Sequence, residues 1–253
     1  MRNNYTYSFM SNFIPNLSVD CVIFGYHGQS LNVLLSKRTL VDSDNQTLLI
    51  DDYTILGHHV YEGENVDAAA SRVLKDKTGL SNIFLQQFYT FGDTNRLMAA
   101  KDQLWLKTKF PMVVNHVVSV AYYSLVDSSK VHPDVEHQDS KWFSVDNLPE
   151  LGFDHRRMID MALEFLRHKL RQEPVGFELL PEKFTLAQLQ GLYEVILGVT
   201  LDRRNFRKKV NQMKYVIPLD ERKKGVAHKP PQYYIFSWDV YDRTRKEKFA
   251  WSY

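Results

Sequence analysis

Gly57-His58-His59-Val60-Tyr61-Glu62-Gly63-Glu64, continued by Arg72-Val73-Leu74-Lys75-Asp76-Lys77-Thr78-Gly79-Leu80, is the stretch that decides the fold. Its second half reads as a helix over 67–77. Gly79 is suited to the left-handed position that ends a helix. Residues 73, 76 and 77 stand at i, i+3 and i+4, so a helix gathers Val73, Asp76 and Lys77 on one face. Upstream, Val19 to Phe24 and Leu31 to Ser36 read as strands joined by a turn at His27-Gly28-Gln29, and Leu48 to Leu56 continues toward the box. Downstream, Leu85 to Phe91, Val113 to Val126 and Lys141 to Val145 are rich in Val, Tyr, Phe and Trp and also read as strands. Phe153 to Arg171 places Met158, Met161, Ala162, Phe165 and Leu166 at helical spacing. This order predicts a mixed α/β sandwich to about residue 171.

The spacing from residue 58 to residue 80 resembles the Nudix box, G-x5-E-x7-R-E-U-x-E-E-x-G-U, where U is bulky and aliphatic. Glu64, Arg72, Leu74 and Gly79 match it. His58 stands for the first Gly, Val73 and Lys77 stand for Glu, and Asp76 replaces the remaining Glu. In the family this helix face offers carboxylates to magnesium, a hard cation that seeks oxygen ligands and substrate phosphates together. Val73 has no lone pair to offer. Lys77 repels a cation by about 4 kcal/mol per unit charge at ~4 Å, for an effective dielectric of ~20. The resemblance therefore implies a degenerate box with no catalytic residue and no metal: not an enzyme, and no cofactor. Further segments are similar to Nudix proteins related to ADP-ribose hydrolases. They are Gln87-Phe88-Tyr89-Thr90-Phe91-Gly92-Asp93, Val118 to Tyr123, Trp142-Phe143 with Leu148-Pro149, and Phe153-Asp154-His155-Arg156. The likeness is strongest to Nudix-related transcriptional regulators, and within them to arabinose-utilisation repressors.

With 253 residues the chain has room for one large or two ordinary domains. Its single cysteine, Cys21, excludes an internal disulfide and sits in an apolar run, as a buried strand thiol does. No apolar run reaches membrane-spanning length, and the start of the chain shows no signal-peptide pattern. A cytoplasmic protein is the expectation. The overall charge of +2 conceals an asymmetry: residues 201–253 hold 14 Lys and Arg against 6 Asp and Glu, and the remainder is acidic. Such a split points to an anionic partner for the basic part.

Gln172-Glu173-Pro174-Val175-Gly176 reads as a linker. The expected domains are thus 1–172 and 173–253. Beyond the linker, Thr185 and Gln188 form a capping box ahead of a stripe of Leu186, Leu189, Leu192, Tyr193, Ile196 and Leu197 that ends at Gly198. Asp202 caps a second helix through about Met213, with Phe206, Val210 and Met213 facing inward. Arg203, Arg204, Arg207, Lys208 and Lys209 fill the rest of its surface. Two helices joined by a short turn form a helix-turn-helix pattern. Tyr215 to Leu219, a charged loop and Tyr233 to Phe236 supply a wing. The full fold expectation is α+β: a Nudix-like α/β/α sandwich followed by a winged helix-turn-helix domain.

A helix of this kind enters the major groove with its N-terminal residues nearest the base edges. Arg203, Arg204 and Asn205 stand there. Arg207, Lys208, Lys209, Lys223, Lys224, His228 and Lys229 complete the expected DNA contacts, the five lysines chiefly to phosphate. The expected partners are palindromic double-stranded operator DNA, a second copy of the chain in a homodimer, and a small effector. The expected effector is L-arabinose, which would release the repressor from DNA. Asp20, Lys37, His58, His59, Glu64, Asp93 and Arg96 are the candidate effector residues. The alternatives are an active Nudix hydrolase, an ADP-ribose-responsive regulator of NAD metabolism, or an RNA-binding interaction protein.

Overall fold

In the computed structural model, residues 13–27, 29–81, 83–113, 116–128, 131, 140–223 and 230–249 are described. The chain divides into two compact units, one of residues 1–25 and 32–165, the other of residues 26–31 and 166–253. The linker-based boundary at 172/173 differs from this partition, because one helix, His155–Gln172, runs through the change of unit.

The first unit is built on a seven-stranded mixed sheet. Its strands are β1 (Phe13–His27), β2 (Ser30–Val41), β3 (Leu48–Thr54), β4 (Leu56–Tyr61), β5 (Leu85–Phe91), β6 (Val118–Val126) and β7 (Ser140–Ser144). The order is β3-β2-β1-β6-β5, with β4 on β1 and β7 on β2. β1 and β6 run parallel in the centre, and every residue of β6 after Val118 is buried. That explains its unbroken apolar sequence, since a central strand covered on both faces does not alternate. Tyr122 turns to one face, where its hydroxyl reaches Asp67 of α1 (Val66–Thr78) at 2.5 Å. Tyr123 turns to the other, where its ring meets Phe165 of α3 (His155–Gln172) at 5.7 Å. Helices thus cover both faces of the sheet. The segment leading from Leu48 into the box is broken at Ile55 into β3 and β4, which pair with different neighbours.

Asn65 caps α1 through its side chain, accepting from Ala68 N–H at 2.8 Å. Gly79 closes it at φ 71°, and its N–H reaches Lys75 O. Val73 is buried in one cluster with Cys21, Ala69, Ala70, Leu74 and Tyr122. The expected common face of residues 73, 76 and 77 is therefore divided: Val73 enters the core and Asp76 is exposed. On α3 the buried line is Met158, Ile159, Ala162, Leu166 and Leu170. Phe165 is 36% exposed and Met161 only half-buried, so the expected stripe was rotated by about one position. The helix α2 (Ala100–Lys109) was not anticipated. Its N-cap Ala99 makes no side-chain cap, and its one buried residue is Asp102.

The second unit contains a 3-10 turn (Phe177–Leu179), β8 (Phe184–Thr185), α4 (Leu186–Leu197), α5 (Arg203–Asn211), β9 (Val216–Arg222), β10 (Gln232–Phe236) and α6 (Trp238–Phe249). The short sheet has the order β8-β10-β9. Thr185 and Gln188 form the anticipated capping box, and Gly198 ends α4 in the left-handed region. Thr185→Ala is expected to destabilise this unit by about 1 kcal/mol, read as a lower midpoint in thermal unfolding. Asp202 caps α5 by accepting from Asn205 N–H at 2.9 Å, and the helix stops at Asn211, short of Met213. No described helix is long and apolar enough to cross a membrane.

Candidate effector cavity and nucleic-acid interface

A cavity of about 290 Å³ opens in the first unit. One wall is apolar and aromatic: Ile55, Leu97, Trp105, Leu106, Phe110, Val117 and Phe153. The polar lining comes from Ser18, Asp20, Arg38, Thr54, His58, His59, Lys77, Arg96, Ser119 and His155. Four of the seven expected effector residues meet here: Asp20, His58, His59 and Arg96. The other three do not. Lys37 pairs with Asp51 at the surface at 2.8 Å, because its position on β2 faces away from that of Arg38. Asp93 pairs with exposed Arg157. Glu64 is held by Arg72 through two hydrogen bonds, at 2.9 and 2.8 Å, and accepts from Tyr61 N–H. Arg72 also stacks on Tyr61 at 3.9 Å. This pair fastens the box loop to α1 and gives the box Glu a structural task.

Arg38, Trp105, Phe110, Phe153 and His155 were not anticipated as cavity residues. Arg38 is 2% exposed, in the second half of β2, where exposed and buried residues alternate. Its Nε and Nη2 bond both oxygens of Asp52 at 2.7 Å, and Nη2 bonds Asp102 at 2.7 Å. Its guanidinium lies 4.5 Å from the Phe153 ring centroid. Lys101 adds a second cation to Asp52 at 2.8 Å. Those partners hold the Asp52 carboxyl below its ordinary range, against the opposing effect of burial. Arg96 is likewise tied, to Asp154 at 2.8 Å and to Val117 O at 3.0 Å. Both arginines therefore reach the cavity with their charge already matched.

Burial dominates the titration of the remaining groups. Asp20 is pushed up to about 6 by desolvation, opposed by nearby Arg96. His155 is pushed down to about 3 and His59 to about 4, each chiefly by burial. Burial also lowers His58, with Arg72 and Lys77 acting in the same direction. The signs give a testable pH profile. His155 must stay neutral in the fold, so stability is lost as pH falls from about 6.5 towards 3. Asp20 acts oppositely, since folding favours its protonated form between about 3.8 and 6. Urea unfolding at pH 7 and 5 is expected to show a flatter acid loss in His155→Asn and a steeper one in Asp20→Asn.

The resemblance to the Nudix box implies magnesium, and the donor set does not fit it. Val73 is in the core, Asp76 is exposed, and Lys77 presents an ammonium at the cavity. Among the described residues, no group of three or more His, Cys, Asp or Glu is placed to hold a metal ion.

In the second unit, Phe206 packs edge-on against Tyr193 of α4 at 5.8 Å, and Phe206 and Val210 are buried. The turn between the helices is pinned by Gln190 and Glu194. Gln190 Nε2 donates to Leu201 O at 2.9 Å, and Leu201 N–H donates to Glu194 at 2.9 Å. With α5 so held, Arg203, Arg204, Asn205, Arg207, Lys208 and Lys209 are all exposed. Lys223 is exposed at the end of β9. Lys224, His228 and Lys229 lie outside the described residues. A cleft between α4, α5 and the β9–β10 hairpin is lined by Gln190, Arg203, Arg207, Arg222 and Gln232. Arg222 was not among the expected contacts. Its signal was its place at the end of a wing strand.

The sequence matches two family profiles: the NUDIX domain over residues 15–162 and the NrtR DNA-binding winged helix domain over residues 176–236. The chain is 27% identical over 231 residues to the ADPR responsive transcriptional repressor NtrR of Acinetobacter baylyi, covering 90% of this chain and 84% of that one. Among solved structures it is similar to Shewanella oneidensis NrtR complexed with a 27mer DNA, at 26% identity and a TM-score of 0.70, covering 89% of this chain and 95% of that one. A MutT/nudix family protein from Enterococcus faecalis, at 20% identity and a TM-score of 0.62 over 93% of this chain and 90% of that one, shares the fold. The chain belongs to the Nudix family and carries an NrtR-type winged helix domain after its Nudix domain.

Proposed function

We propose that this chain is a transcriptional repressor that grips operator DNA through α5 and its wing and is released when a small effector enters the Nudix cavity. One observation carries the reading: α5 buries Phe206 and Val210 against α4 and turns Asn205 and five cations outward. A cationic helix held in this way suits the major groove. We expect a homodimer on a palindromic operator, since proteins with this motif meet two half-sites with two copies. The degenerate box supports sensing in place of hydrolysis, with Lys77 where the family has an acid.

ADP-ribose is the first effector to test, because the Acinetobacter relative is named as responsive to it. The relatives give no support to arabinose. A neutral sugar stays as the second reading on one observation: Arg38 and Arg96 are both paired with carboxylates, which leaves Lys77 as the cation that a diphosphate would meet in the cavity lining. The test is incubation with ADP-ribose and magnesium, followed by chromatography and thermal unfolding. Intact nucleotide with a raised unfolding midpoint is expected, equivalent to about 2.7 kcal/mol at a hundredfold excess over Kd. Turnover at enzyme-like rates of about 1–1000 per second would contradict a pure sensor.

A further inference from the structure

One end of the cavity holds two polar atoms that no described residue satisfies. Asp20 is 7% exposed and His155 is 5% exposed. Asp20 Oδ2 is engaged by Ser119, and by Ser18 at 3.3 Å. Asp20 Oδ1 accepts no hydrogen bond among the described residues and lies against Gly57, where a side chain would collide with it. His155 Nδ1 accepts from Ile55 N–H at 3.2 Å. The neutral ring therefore carries its proton on Nε2. That nitrogen has no hydrogen-bond acceptor among the described residues and lies 3.9 Å from Asp20 Oδ1. An acceptor and a donor thus border the same space, too far apart to bond each other well.

We propose that Asp20 Oδ1 and His155 Nε2 form a recognition subsite for a ligand hydroxyl, so that a neutral sugar ring occupies this end of the cavity. A hydroxyl both donates and accepts through a single oxygen. Placed between the two atoms, it gives its proton to the carboxylate and takes the imidazole N–H. Two ordinary hydrogen bonds of about 2.7–2.9 Å meeting near a right angle span the observed gap. A phosphate is the wrong occupant. It would accept from His155 but would bring its charge against the Asp20 carboxylate in a poorly solvated site. The aromatic wall of Trp105, Phe110 and Phe153 suits the apolar face of a ring. The ring can come from two sources, the terminal ribose of ADP-ribose or a free pentose. The inference rests on the cavity being the effector site.

Titration calorimetry on the full chain with ADP, ADP-ribose and L-arabinose tests it. ADP-ribose bound at least about tenfold more tightly than ADP would assign the hydroxyl to a terminal ribose. Binding of L-arabinose alone would assign it to a free pentose. In either case Asp20→Asn and His155→Asn are each expected to weaken the hydroxylated probe about tenfold, with any ADP affinity unchanged. Asn at 155 can still accept from Ile55 N–H while lacking Nε2, so the second variant serves if the first fails to fold. ADP bound as tightly as ADP-ribose and not weakened by either variant, with L-arabinose silent, would overturn the subsite and leave the effector cavity standing. Unchanged affinity for the hydroxylated probe in a folded variant would also overturn it. Silence from all three probes would remove the effector reading together with the subsite.

Discussion

Affinity for operator duplex is expected to fall at least about a hundredfold when Arg203, Arg204 and Arg207 are all replaced by alanine. All three are exposed on α5, and Phe206 and Val210 fix which side of the helix they occupy. Arg203 and Arg204 stand in the first turn, where a recognition helix comes closest to base edges. A bidentate arginine–guanine pair is worth roughly 1–3 kcal/mol of discrimination. Each lost phosphate contact removes about 0.9 from the slope of log affinity against log salt. Fluorescence anisotropy at several salt concentrations separates the two roles. A base-reading arginine relaxes sequence preference when removed, whereas Lys208 or Lys209 lowers affinity for all duplexes alike and flattens the salt slope. The fold is expected to survive, because none of these side chains is buried.

The largest loss of stability is expected from Arg38→Leu, at about 3–5 kcal/mol by urea unfolding. The guanidinium is sealed beside Asp52 and Asp102, which are each 2% exposed. Removing it takes the shared cation from two poorly solvated carboxylates. Lys101 is placed to compensate Asp52 only, at 2.8 Å. Asp102 keeps a single hydrogen bond, from Phe153 N–H at 3.1 Å. Arg38 thus ties β2, β3 and α2 together behind the cavity, and Phe153, which forms part of the aromatic wall, packs on it. Arg38→Leu is therefore also expected to abolish effector binding. Replacing Lys37, whose partner is the surface residue Asp51, is expected to change stability by less than about 1 kcal/mol.

What could be read from the sequence was whatever local chemistry determines. Gly79 and Gly198 end helices because a left-handed residue is required there. Thr185 with Gln188 and Asp202 start helices because their side chains satisfy free amides. These signals involve near neighbours, and the structure has them where the residues stand. The alternation of Tyr122 and Tyr123 on β6 follows from strand geometry once the strand is recognised. The cavity was only half legible. His58 and His59 come from the box and Asp20 and Arg96 from segments on either side of it, but His155 arrives from the start of α3, 135 residues after Asp20. Helix α2 carries no capping residue and no apolar stripe, and it is anchored by Asp102 meeting Arg38, a contact 64 residues apart. Glu64 and Asp93 are acids of the expected kind at the expected places in the chain, yet Arg72 and Arg157 claim them. Which carboxylate stays free is decided by distant partners, and a single sequence does not record those.

The central claim is a linkage between two sites in one chain, and the direct measurement is duplex affinity with and without bound effector. Anisotropy titrations of a labelled operator duplex, run first with saturating ADP-ribose and then with saturating L-arabinose, read it. The effector that calorimetry shows to bind is expected to weaken DNA binding about 5–150-fold, the usual span of a coupling of ~1–3 kcal/mol. Superimposable DNA curves with the cavity fully occupied would contradict it.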